Sequence, residues 1–438
     1  MKKNYGMARI VSLGLQHVLV MYAGAILVPL IVGGALHLSS NELAYLVSID
    51  LLTCGIATLL QSWKNRFFGI GLPVVLGTSF VAVTPIIGIG TQYGMGAIYG
   101  SIITAGIFIL IFSPFFGKLA KLFPPVVTGS VVTIIGVSLV PAGIKNMAGG
   151  EGNPHFGDPE NLLLSFGVFI FILLINRFFH GFIRTISVLL GIIAGTIVAA
   201  FMGKVDFTNV AQASWFHMPE LFYFGAPSFE WGPMITMTLV GIVIIIESTG
   251  SFFALSKICE QNMNEQDLVL GYRAEGLSFI LGGLFNAFPY STFAQNVGLV
   301  QLTNIKTRNV TIAAASLLVL LGFIPKIAAF TTIIPTPVLG GAMIVMFGMV
   351  VSSGIKMLSS VDFGQQSNLL TVACSVALGL GATVVPDLFS KLPQFMRILV
   401  GDGIVTGSLT AIILNLFFNL SSKKKPTVSS TLETTIES

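Results

Sequence analysis

Of 438 residues, 54% are hydrophobic and only 9% are charged, with a mean hydropathy of +0.90 and a formal charge of +4. An ordinary soluble domain is roughly 25% charged, and one core cannot hide this much apolar surface, so lipid must cover it. The small, scattered charge excludes a nucleic-acid footprint.

The opening MKKNYGMARI precedes an apolar run that continues to about Gly34 and contains Gln16-His17. A cleaved signal peptide has a shorter, purely apolar centre, so this segment is expected to be an uncleaved first transmembrane helix. A span needs about 20 mainly apolar residues, and that rule gives fourteen candidates in two sets of seven. The first set lies near 12–32, 44–62, 70–89, 95–116, 124–143, 162–178 and 184–203. The second lies near 233–254, 268–288, 290–303, 309–329, 335–352, 366–386 and 399–420. The tenth segment is too short and polar to cross alone.

The longest polar loops are 145–161 and 203–232, expected outside, and 256–267, expected inside. Alternation of the spans places Lys145, Lys204, Lys326, Lys391 and Arg397 outside and the remaining 17 of the 22 Lys and Arg inside. This bias predicts that both termini are cytoplasmic. The tail 421–438 is Ser/Thr-rich and begins near KKK. It is expected to be a disordered cytoplasmic segment whose lysines meet the anionic inner leaflet. Cys54, Cys259 and Cys374 lie far apart with no ligand spacing, so no disulfide framework, metal site or cofactor is expected.

PPVVTGSVVTIIGVSLV from Pro124 resembles PTPVLGGAMIVMFGMVV from Pro335, with Pro125-Val126 matching Pro337-Val338. These open the fifth span of each half. Halves with an odd number of spans place matching helices upside down, the inverted-repeat plan of many secondary transporters. The third spans also correspond. GLPVVLGTSFVAVTP (71–85) is interrupted by Pro73, Gly77 and Pro85, and FPYSTFAQNVGLVQLT (288–303) by Pro289 and Gly298. Interrupted backbone leaves N–H and C=O groups unpaired, which membrane depth tolerates only where protein or a solute satisfies them. Half-helices would then aim their positive N-termini at acceptor atoms of that solute. The pair of interruptions predicts a binding site at the midplane.

Ionisable groups inside spans are costly and mark function by default. Glu247, in GIVIIIESTGSFF, has no basic neighbour within a helical turn or two and is positioned to hold and release a proton. Glu275 sits nearer the inner end of its span beside Arg273, where an ion pair is the competing reading. His17 is a candidate for shaping the site. Gln295 and Asn296 are adjacent amides, each offering donors and an acceptor. With a carboxyl they suit a neutral planar solute edged by alternating C=O and N–H groups. Phe80 and Phe293 are placed to stack on a flat ring, although with 35 Phe in the chain packing is the commoner role. No ATP-hydrolysing or hydrolase motif occurs, so energy is expected from an ion gradient and no enzymatic activity is expected.

At QNVGLVQLTN (295–304) the sequence resembles the nucleobase–ascorbate transporter family, whose signature is Q/E-N-x-G-x-x-x-x-T followed usually by a basic residue or glycine. Gln295, Asn296, Gly298 and Thr303 match, and Asn304 departs. Gln16-His17, GTSF (77–80), Glu247, Glu275 and PPVVTG extend the resemblance over nearly the whole chain. It implies an all-α membrane protein of fourteen transmembrane segments, a 7+7 inverted repeat with short antiparallel strands in the third and tenth. A core domain would comprise 1–116 and 233–329, and a gate domain 117–203 and 330–420, with an extracellular loop at 204–232. Proton symport of a purine base, xanthine above all, through a homodimer in the cell membrane is the implied activity, with uric acid or another purine or pyrimidine as the alternative. An anion exchanger or channel on the same plan is a more remote reading. By matched position, Glu247 and Gln295 would bind the base, and backbone around Ser79-Phe80 would complete the site. Asn296 would shape it and His17 would support it. Glu275, where many members carry Asp, would join Glu247 in proton coupling. Phe293, Thr303 and Asn304 would tune specificity.

Overall fold

The computed structural model describes residues 6–119 and 123–419. The tail 421–438, the first five residues and Lys121, all used in the orientation argument, lie outside the described residues. Fourteen helices of ten or more residues occur among those described. In the first half they are α1 (Met7–Ala35), α2 (Ser40–Ser62), α3 (Val83–Tyr93), α4 (Met95–Leu119), α5 (Pro125–Met147), α6 (Pro159–Phe178) and α7 (Ser187–Phe201). In the second they are α8 (Trp231–Ile258), α9 (Glu265–Leu284), α10 (Ala294–Thr303), α11 (Arg308–Gly322), α12 (Thr336–Leu358), α13 (Gln366–Val384) and α14 (Gly403–Asn419). Two strands, β1 (Leu76–Thr78) and β2 (Tyr290–Thr292), precede α3 and α10. Eight of the described helices are long and apolar enough to cross a membrane, or nine when α11 is joined to the short helix Pro325–Thr332. The protein is therefore a multi-pass membrane protein, mostly helical.

Besides the interrupted third and tenth segments, other expected spans are not continuous. The segment 309–329 bends by 81° between Gly322 and Pro325, because proline cannot donate the helical hydrogen bond and clashes with the preceding turn. The segment 399–420 divides at Asp402, whose carboxylate accepts the Val405 N–H at 2.8 Å and so starts α14 afresh.

Packing sorts the helices into two sets. α1–α4 pack with α8–α11, and α5–α7 with α12–α14. The main pairings recur after a shift of seven helices. The α4–α9 contact has its counterpart in α11–α2, α8–α4 in α1–α11, and α12–α6 in α5–α13. The matched proline-led helices α5 and α12 pack most extensively of all. A Cβ on Gly354 would stand 2.3 Å from Thr133 Oγ1, so glycine there is what lets the backbones approach.

The loop between the halves is tied to the first set. Phe222 N–H donates to Leu284 O at 3.1 Å and Ser228 N–H to Gly96 O at 3.0 Å. Tyr45 Oη donates to Glu220 O at 3.0 Å, and the Tyr45 ring stacks on Tyr223 with centroids 3.7 Å apart.

Candidate functional site

The two interruptions meet. β1 and β2 pair antiparallel, with Leu76 opposite Thr292, Gly77 opposite Ser291 and Thr78 opposite Tyr290. The ladder extends one bond beyond each end: Ser79 N–H donates to Pro289 O at 2.9 Å, and Phe293 N–H to Val75 O at 3.0 Å. Each broken segment thus satisfies the other's backbone, as membrane depth requires. Ser79 and a 3-10 turn, Phe80–Ala82, lead from β1 into α3, with the Val81, Ala82 and Val83 N–H groups bonded within the turn, whereas α10 follows β2 after Phe293 alone; both helices start beside the ladder with their positive dipole ends.

Side chains of a strand alternate between two faces. Gly77, Ser79, Ser291 and Phe293 share one face, and Thr78 and Tyr290 the other. On the first stands Glu247 of α8. Ser79 Oγ donates to Glu247 Oε2 at 3.4 Å and also accepts the Val81 N–H at 3.3 Å, and the Ser291 hydroxyl also bears on the Glu247 carboxyl. The next residue, Ser248, accepts the Thr292 N–H at 3.2 Å and fastens α8 to the free edge of β2. Glu247 keeps partial exposure while Val243–Ile246 and Ser248 are buried, and Gln295 likewise stands out between buried Phe293 and Asn296. Their helices, α8 and α10, pack together.

Glu275 of α9 is fully buried behind Ser248, and neither of its oxygens has a hydrogen-bond partner at bonding geometry. The ion pair with Arg273 is not formed. Residues two apart on a helix face opposite ways, and Arg273 Nε instead donates to Ser113 Oγ at 3.3 Å.

Asn296 and His17 join α10 to α1. Asn296 Nδ2 lies 3.0 Å from His17 Nδ1 and donates to His17 O at 3.1 Å. Both amide protons are thereby used, so His17 Nδ1 accepts. The Phe293 ring fills a slot floored by glycines: a Cβ on Gly24 would meet its Cζ at 2.2 Å, and one on Gly77 its Cδ2 at 2.6 Å. Phe80 meets Phe347 of α12 edge-on at 5.6 Å between centroids. Thr303 and Asn304 stand at the far end of α10, about 13 Å along the axis from its start. There the Thr303 hydroxyl donates to Leu299 O at 2.8 Å, and Asn304 ends the helix at φ 51°.

Sequence reasoning misses Asp50, although an acid inside an apolar run is the signal that selects Glu247. Asp50 is 1% exposed and lies on the far face of the ladder. Two cavities are lined by residues from both halves of the chain. One of about 370 Å³ includes Thr84, Gly88, Arg397 and Asp402 in its lining. Another of about 300 Å³ includes Gly250, Phe253, Thr128 and Met357.

A multi-pass protein whose two broken segments meet as a ladder before a membrane-embedded acid has the architecture of a solute transporter. The sequence profile of the permease family matches residues 8–388, and the chain belongs to that family, of transporters and not of enzymes. Uric acid permease PucJ of Bacillus subtilis (strain 168) is 61% identical over 97% of this chain and 95% of its own length. Xanthine permease of the same organism is 59% identical, over 96% of each chain. Uric acid transporter UacT of Escherichia coli (strain K12) is 45% identical over 94% of this chain and 86% of its own. The transmembrane domain of the cyanobacterium bicarbonate transporter BicA has the same fold, with a TM-score of 0.62 at 15% identity over 89% of this chain and 98% of that one.

Proposed function

We propose that this permease imports an oxidised purine base, xanthine first and uric acid as the alternative, together with protons. The observation that carries the reading is the ladder that sets Ser79 and Ser291 against the membrane-embedded carboxyl of Glu247. Glu247 takes an N–H of the base and Gln295 an amide-like edge, while the N-termini of α3 and α10 meet its carbonyl oxygens. Relatives named for uric acid and for xanthine stand at 61% and 59% identity, which supports a purine and does not choose between the two. His17 and Asn296 hold α10 in place, and Phe80 and Phe293 wall the site. Phe293, Thr303 and Asn304 tune the substrate range. Glu275, one serine behind Glu247, takes part in the proton step.

In this reading the fourteen helices are a 7+7 inverted repeat, as their recurrent packing supports. Residues 1–116 and 233–329 form a core that moves against a gate of 117–203 and 330–420 in a homodimer, with both termini cytoplasmic and the loop 204–232 outside. No basic residue occurs in 71–85 or 288–303, which argues against an anion exchanger for all the likeness of fold. Uptake of radiolabelled xanthine into cells tests the proposal, with competition by uric acid, guanine and uracil. Glu247→Gln and a protonophore should each abolish accumulation. Full accumulation with either would discard the mechanism, and uptake blocked by uracil alone would discard the substrate.

A further inference from the structure

The face of the ladder turned away from Glu247 carries a second polar cluster. Thr78 and Tyr290 are cross-strand partners, and both hydroxyls reach one carboxylate of α2. Thr78 Oγ1 donates to Asp50 Oδ2 at 2.5 Å, and Tyr290 Oη to Asp50 Oδ1 at 3.0 Å. The Cys54 thiol lies 3.9 Å from Oδ2, and the Thr53 hydroxyl contacts that of Tyr290. Thr53, Thr78 and Tyr290 are each no more than 1% exposed. Thr58, two turns along α2 from Asp50, adds a further bond by accepting the Leu76 N–H at 3.0 Å. α2 therefore grips both strands from behind.

We infer that Asp50 is a positioning residue for the transport site, fixing the Thr78–Tyr290 register and, through it, the residues on the opposite face. The reasoning is geometric. A three-residue ladder has few backbone bonds to hold its register, and a slip of one residue would turn every side chain to the other face. Ser79 would leave Glu247, and Phe293 would leave its slot. The carboxylate suits the task because it is an acceptor at both oxygens, so one group takes a donor from each strand. An amide has one acceptor oxygen, and its NH₂ would force one hydroxyl to turn and accept. Asp50 thus acts through the strands and touches no solute.

The uptake arm of the test rests on the purine reading above, and a second arm does not. In the full-length protein, Asp50→Asn, Asp50→Ala, Tyr290→Phe and Thr78→Val are compared with Thr78→Ser, which keeps the hydroxyl. Xanthine uptake, normalised to the amount of folded protein in the membrane, should show a KM raised roughly tenfold in Asp50→Ala, the scale expected for buried hydrogen-bond donors left without their acceptor. The rise should be smaller in Asp50→Asn, and Thr78→Ser should restore wild-type values. Asp50→Ala combined with Tyr290→Phe should cost less than the sum of the two, because both remove the same bond. Independently of any solute, hydrogen–deuterium exchange should show faster exchange at the Ser79 and Phe293 amides in Asp50→Ala than in wild type. Reduced protein amount with unchanged KM and unchanged exchange would overturn the inference. Faster exchange in a protein whose wild type carries no purine would uphold it and discard the purine reading.

Discussion

The sharpest quantitative consequence concerns Gly24. A methyl added there would lie 2.2 Å from Phe293 Cζ and 2.9 Å from Met346 Cε. Carbon atoms make ordinary contact from about 3.5 Å, so the ring tip would have to retreat by about 1.3 Å. Its retreat is blocked by β1, where Gly77 already faces Phe293 Cδ2 so closely that a Cβ would come within 2.6 Å. Met346 is unbranched and can yield, whereas the ring, 4% exposed, has nowhere to go without parting the ladder from α1. Overpacking of this kind costs about 1–3 kcal/mol. Gly24→Ala should therefore lower the melting temperature of the detergent-solubilised protein and reduce purine uptake per folded molecule. Phe293→Leu, which shortens the obstructing group, should rescue Gly24→Ala in the double variant. Melting and uptake can be read from one fluorescent fusion, by size-exclusion after heating and by flux. Wild-type melting and uptake in Gly24→Ala, or a double variant worse than the sum of the singles, would refute the slot.

Asn296→Asp should be more damaging than its size suggests, because it sets a carboxyl oxygen against the His17 carbonyl at 3.1 Å where a donor now stands. Leaving buried groups unpaired costs about 1–3 kcal/mol, and thermal melting will register it. Ser79→Ala should change xanthine KM by only a few-fold, since its bond to Glu247 is long at 3.4 Å, and a complete loss of uptake would show that Ser79 does more than support the acid. Outside the membrane, the hydrogen bond and charge of Lys306 hold the Glu260 carboxyl below its ordinary 4.5. A depressed carboxyl adds stability at neutral pH that is lost as pH falls through the depressed value. Both ends are solvent-accessible, so Lys306→Gln should lower melting only slightly at pH 7, with the difference vanishing in acid.

The broken segments were legible because Pro73, Gly77 and Pro289 are residues a buried helix avoids. Their matched positions in the two halves also indicated that they belong together. Glu247 stands out in the sequence because an acid within an apolar span is costly, and the structure places it against the ladder. Other features depend on which way a side chain faces, and linear order hides that. Arg273 and Glu275 read as a pair because they are two positions apart, yet the helix turns them to opposite sides. The sequence hides the role of Asp50 because its partners Thr78 and Tyr290 are neutral and distant, with Tyr290 240 positions away. The bend at Pro325 was hidden by the apolar residues around it, which hydropathy alone reads as one run. Nor does composition reveal that the loop between the halves is pinned to the α1–α4 side by Tyr45 and Gly96.

Because the ladder joins strands from opposite halves, neither half can complete its own backbone. While the ribosome is still making the second half, Val75, Gly77 and Ser79 have no partner and must stay hydrated or be shielded by other means. Closing such a distant contact is slow in any chain, so the solute site should be among the last features to mature. Two separately expressed halves, each inert, should regain transport only when made together.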